Sequence, residues 1–96
     1  MKWKSRAIDK RNQLYGFMKY QIVCSLPWFF EARDWCWEQW GSGIEYEHFH
    51  NHILHTGQVK IWAWDCNKYQ GTTLHNGKLY LPDDDALTLF RLRWPK

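Results

Sequence analysis

Residues 27–41, PWFFEARDWCWEQWG, hold four of the eight tryptophans of this 96-residue chain and constrain its fold more than any other stretch. Pro27 suits the first turn of a helix, where a missing N–H costs nothing, and Gly41 suits the stop just past the end. At about 100° per residue, Trp28, Phe29, Ala32, Trp35, Cys36 and Trp40 fall on one broad arc, with Gln39 among them. Glu31, Asp34 and Glu38 fall on the opposite side, and Phe30, Arg33 and Trp37 form a flank between the two. The apolar arc is expected to dock on a sheet and the acidic arc to face water.

The sheet is written in period-two alternation. Over residues 17–26, Met18, Tyr20, Ile22, Cys24 and Leu26 share one face, with Lys19, Gln21 and Ser25 on the other. Residues 44–54 and 58–66 alternate again around Thr56-Gly57, so a tight antiparallel hairpin is expected there. If His55 pairs with Gln58, then His48, His50 and His52 share a face with Asp65, Ala63 and Ile61, while Trp62 and Trp64 point the other way, towards the helix. Asn76-Gly77 between apolar residues reads as a further hairpin turn leading into a strand over 78–81. Asp83, Asp84 and Asp85 then mark a helix N-terminus, with Ala86, Leu87, Phe90 and Trp94 at helical spacing and Arg91 and Arg93 at its C-terminal end. The expected fold is α+β: a single antiparallel sheet of four to five strands, one long Trp-rich helix on one face and a short C-terminal helix, ferredoxin-like or related.

Ninety-six residues make one domain, and an aromatic content of 19% exceeds what so small a core needs, which favours an interaction surface. The charge of +3 is uneven, because Lys2, Lys4, Arg6, Lys10 and Arg11 against Asp9 give residues 1–12 a charge of +4. Residues 1–12 are therefore read as a basic N-terminal arm, loosely packed apart from Trp3 and Ile8, and residues 13–96 as the single α+β domain. Three cysteines without C-x-x-C spacing argue against a disulfide framework or a zinc ribbon, and read as buried thiols. No run approaches the roughly 18 apolar residues of a membrane span, and no apolar segment follows the basic start. A soluble, cytoplasmic protein with no membrane partner is expected.

Three constellations bear on function. Phe30, Arg33 and Trp37 combine the residue types that dominate protein interfaces, beside an acidic stripe, and form the leading candidate for partner binding. Lys2, Lys4, Arg6, Lys10 and Arg11 could meet phosphates while Trp62 and Trp64 stack unpaired bases, an alternative single-stranded nucleic-acid-binding reading. His48, His50, His52 and Asp65 offer imidazoles and a carboxylate suited to zinc or another transition metal, an alternative metal-dependent hydrolase reading. Against the last, solvent-facing histidines on a strand commonly hold nothing, and no cofactor is expected. The adjacent letters His50-Asn51-His52 do not match the nuclease motif of that name, which is spread through a ββα unit. Glu31, Asp34 and Glu38 read as a solvated acidic face rather than as general acids or bases. There is no glycine-rich phosphate loop and no nucleophile elbow.

The closing stretch Asp85-Ala86-Leu87-Thr88-Leu89-Phe90-Arg91-Leu92-Arg93-Trp94 resembles the end of short α+β proteins of tailed phages, in which an acidic turn, an alanine and F-x-L-x-W close the domain. Ala32-Arg33-Asp34-Trp35-Cys36 is similar to their first helix. The resemblance covers about a third of the chain. It implies a small phage product, either host-directed or virion-associated, and carries no catalytic residues because such proteins share no established activity. The expected function is non-enzymatic binding of a host or virion protein through exposed aromatic surface.

Overall fold

In the computed structural model, residues 3–12, 14–48, 62–66 and 76–95 are described. Five strands, β1 (Trp3–Ala7), β2 (Tyr20–Ser25), β3 (Ile44–Glu45), β4 (Ala63–Cys66) and β5 (Asn76–Leu81), form one sheet in the order β1-β2-β5-β4-β3. Helix α1 (Leu26–Trp40) follows β2 directly, and helix α2 (Asp84–Arg93) follows β5. The fold is α+β. Strand β2 pairs antiparallel with β1 and β5, and β5 pairs antiparallel with β4. The outermost pair, β3 with β4, is parallel, so the sheet is mixed. This order does not establish ferredoxin-like connectivity. Among the described residues, no helix is long and apolar enough to cross a membrane.

Both helices cover the same face of the sheet. Ile22 and Cys24 of β2 and Leu79 and Leu81 of β5 point into a core completed by Trp28, Phe29, Ala32 and Cys36 of α1 and by Ala86, Leu87 and Phe90 of α2. Ala32 and Cys36 are fully buried and small, which lets α1 lie close to the strands. Phe90 is the hub of the aromatic packing. Its ring meets Trp3 edge-on at 5.0 Å, Trp35 at 5.9 Å and Trp28 at 6.2 Å between centroids. The expected arc of α1 is observed: Trp28, Phe29, Ala32 and Cys36 are buried, and Trp35 and Trp40 are half-buried against the core.

The helix ends follow local chemistry. Gly41, with φ 78°, closes α1 by donating its N–H to the Trp37 carbonyl. Asp83 caps α2 by accepting the Ala86 N–H at 2.9 Å, with Asp84 and Asp85 in the first turn and Arg91 and Arg93 in the last.

Several expectations are corrected. The basic segment is not a loose arm: Trp3–Ala7 is an edge strand, with Trp3 buried and its indole N–H donating to the Trp94 carbonyl at 2.8 Å. Asn76-Gly77 is not a turn but the start of β5, with Gly77 opposite Cys24 on one side and Cys66 on the other. The glycine is required by packing, because a Cβ there would collide with the Phe29 ring. Met18 leaves the face expected of it. Residues 14–18 form a turn in which Met18 N–H donates to Leu14 C=O, and Met18 packs with Leu14, Ala63 and Tyr80 on the far side of the sheet. Of the antiparallel pairing expected between residues 44–54 and 58–66, the described part is different: Ile44 and Glu45 pair in parallel with Ala63 and Trp64, and residues 49–61 lie outside the described residues. The expected turn at Thr56-Gly57 lies outside the described residues.

Candidate functional site

The ridge Phe30, Arg33, Trp37 runs along one flank of α1 at i, i+3 and i+7, so its members stack on successive turns. Phe30 is 42% and Trp37 47% exposed, while the Arg33 side chain is 26% exposed. Phe30 is anchored by its edge contact with buried Phe29 at 5.4 Å, and Trp37 by the Trp62 ring at 6.3 Å. The Arg33 guanidinium lies 5.1 Å from the Phe30 ring centroid and 5.0 Å from that of Trp64. It is thus held between two aromatic rings, with Asp34 at 3.6 Å. Its buried Nε has no hydrogen-bond partner among the described residues. Glu31, Asp34 and Glu38 are exposed beside the ridge, as the helical periodicity implies.

The opposite face of the sheet is cationic at one end. Cross-strand pairing sets Lys4 beside Val23 and Val23 beside Lys78, and Arg6 beside Gln21 and Gln21 beside Tyr80. A concavity of about 390 Å³ opens there, with Arg6, Arg11 and Lys78 on its walls and Gln21 among its lining residues. Arg11 is tied to Asp9 at 3.1 Å, whereas Arg6 and Lys78 have no ion-pair partner among the described residues. The Gln21 amide, 8% exposed, donates to the Tyr80 hydroxyl at 3.2 Å, and burial pushes the Tyr80 phenol up to about 12. Lys10 lies in the turn after β1, and Lys2 lies outside the described residues. Trp62 and Trp64 are not on this face. Trp62 is buried in the helix-side core and Trp64 packs against it, so neither can stack bases beside the basic residues.

The histidine cluster is only partly described. His48 ends a single 3₁₀ turn, Tyr46–His48, exposed and 4.0 Å from the Glu45 carboxylate, rather than projecting from a strand. His50 and His52 lie outside the described residues. Asp65 sits on the open face next to Lys78. The alignment expected to bring it beside His48 depended on an antiparallel hairpin, and the observed β3–β4 pairing is parallel. Among the described residues, no three histidine, cysteine, aspartate or glutamate side chains gather as a metal site.

Two of the three thiols, Cys24 and Cys36, are buried as expected, while Cys66 is half-buried. Burial pushes Cys24 up to about 12 and Cys36 higher still, so neither is a thiolate at neutral pH. Sequence reasoning missed Lys78, whose role depends on β5 lying beside β2. The only local signal was its alternation with Tyr80. No protein-family model, curated protein or solved structure matches this chain.

Proposed function

We propose that this chain is a small, non-enzymatic phage-type accessory protein that binds a host or virion protein through Phe30, Arg33 and Trp37. The observation that carries this reading is the ridge itself: two half-exposed aromatic side chains bracketing an arginine that is already held between rings. Tryptophan and arginine are the side chains on which interface energy concentrates. Anchoring from below means that little rotamer freedom is left to lose on binding. Phage origin is supported by the resemblance of residues 85–94 and 32–36, and places the protein in the host cytoplasm or the virion.

The test is affinity capture from host lysate with the wild-type protein and the double variant Phe30→Ala, Trp37→Ala, both checked for native circular dichroism. The expected result is loss of the partner by the variant. Equal recovery by both proteins removes the ridge as the binding surface.

A second reading, contact with nucleic-acid phosphates, is favoured by Arg6 and Lys78 around the sheet concavity, neither with an ion-pair partner among the described residues. Because β1 belongs to the sheet, its test is charge reversal of Arg6 and Lys78 rather than truncation. A salt-sensitive mobility shift lost in Arg6→Glu, Lys78→Glu is expected, and a shift indifferent to both changes excludes this site.

A further inference from the structure

A cavity of about 350 Å³ opens where the C-terminal end of α1 meets the N-terminal end of α2. Trp40, Trp62, Pro82 and Leu89 supply an apolar lining, and Asp83 and Asp85 add carboxylates to it. Both indoles are held in place. The Trp62 N–H donates to the Gly41 carbonyl at 2.9 Å, and the Trp40 ring meets Trp35 edge-on at 5.5 Å. The walls therefore need no ordering before a guest enters.

Carboxylates dominate the charge around this apolar lining. Helix α1 ends here with no basic residue in its last turn, and the positive end of the α2 dipole, roughly half a charge, is outweighed by the carboxylates of Asp83 and Asp85. Asp83 spends one carboxylate oxygen on the Ala86 N–H. Asp85 is exposed and has no ion-pair partner among the described residues. An anion is repelled by these carboxylates, and a purely apolar guest leaves them without a partner. An amphipathic cation satisfies both parts, with its methylene stem on Trp40, Pro82 and Leu89 and its charged head at the rim.

We propose that this pocket receives a basic side chain of the partner, an arginine in first place. A guanidinium forks onto a carboxylate such as Asp85 in a way that an ammonium does not. The pocket and the ridge are neighbours: buried Trp62 lies against Trp37 of the ridge and also lines the cavity. The bound segment is therefore basic, with apolar neighbours, running along the acidic stripe of Glu31, Asp34 and Glu38. As a statement about the partner this rests on the ridge being the binding surface. The pocket's own preference is measurable without the partner.

The probe is Nα-acetyl-arginine amide, with Nα-acetyl-citrulline amide as its uncharged isostere. Each is titrated into the full chain while the indole N–H resonances of Trp40 and Trp62 are followed by NMR. Arginine is expected to give saturable shifts at both indoles, with citrulline weaker by several-fold. Asp85→Asn is expected to weaken arginine binding by roughly two- to fivefold, the size of one half-exposed charge contact. Asp83 is left intact because it caps α2. Equal binding of the two probes, the absence of any saturable shift, or indifference to Asp85→Asn overturns the assignment. If Phe30→Ala, Trp37→Ala leaves partner capture unchanged, the ridge reading fails while the titration still decides the pocket. If the probe does not bind, the pocket assignment fails whatever the ridge does.

Discussion

Replacing Gly77 by alanine sets two opposite effects against each other, and the sign of the outcome reports how α1 sits on the sheet. The backbone of Gly77 is not left-handed, so alanine can adopt it. Removing glycine's extra freedom in the unfolded chain would alone stabilise by about 0.4–1 kcal/mol. The new methyl, however, would lie 2.7 Å from Cδ2 of Phe29 and closer still to Cγ and Cδ1. Phe29 cannot swing away freely: its side chain is fully buried, with Phe30 at 5.4 Å and Trp64 at 6.5 Å between ring centroids. Overpacking of this kind costs about 1–3 kcal/mol. The net expectation is a destabilisation of about 1–2 kcal/mol. For a domain of this size that corresponds to a fall in Tm of roughly 5–15 °C. Thermal and urea unfolding followed by circular dichroism would measure it. Phe29→Leu in the same background gives the cycle: with the ring gone, Gly77→Ala should become much less costly. An unchanged or raised Tm in the single variant would refute the claim that the ring of α1 rests on this glycine, and would restore Asn76-Gly77 as an ordinary turn pair.

Two further outcomes are expected. Trp3→Phe removes the indole donor to the Trp94 carbonyl and leaves that acceptor buried, so it should lower unfolding stability by about 1–2 kcal/mol in urea denaturation; a neutral result would mean that β1 is only loosely attached. Asp84 accepts from Lys19 and Tyr20, which hold its carboxyl below its ordinary value of 3.8. A depressed folded-state value stabilises above the unfolded value, and the contribution is lost as pH falls through the folded one. Asp84→Asn should therefore flatten part of the stability loss below about pH 4 while leaving its slope near neutrality unchanged. An identical acid limb in both proteins would remove Asp84 from that account.

The two helices were legible in the sequence for one physical reason: their determinants are local. Apolar residues three and four apart define the buried face of α1, and Asp83 reaches the Ala86 N–H within its own turn. Neither depends on knowing what lies across the sheet. The exposure of Phe30 and Trp37 followed from the same periodicity, and so did the inward placement of Trp62 and Trp64 from the alternation around them. Strand partnership is not local. WKSRA has too few apolar residues to show itself as a strand, and becomes one because β2 offers it an edge and the core accepts Trp3. Asn76-Gly77 has the composition of a turn, and only the Phe29 ring arriving from α1 turns its glycine into a packing requirement. The nearness of Lys78 to Arg6, and of Trp40 and Trp62 to Asp85, arises because elements far apart in the chain become neighbours. Residue chemistry and helical period could be read one turn at a time, whereas the surfaces that recognise ligands are made by which elements pack together, and the tertiary structure alone decides that.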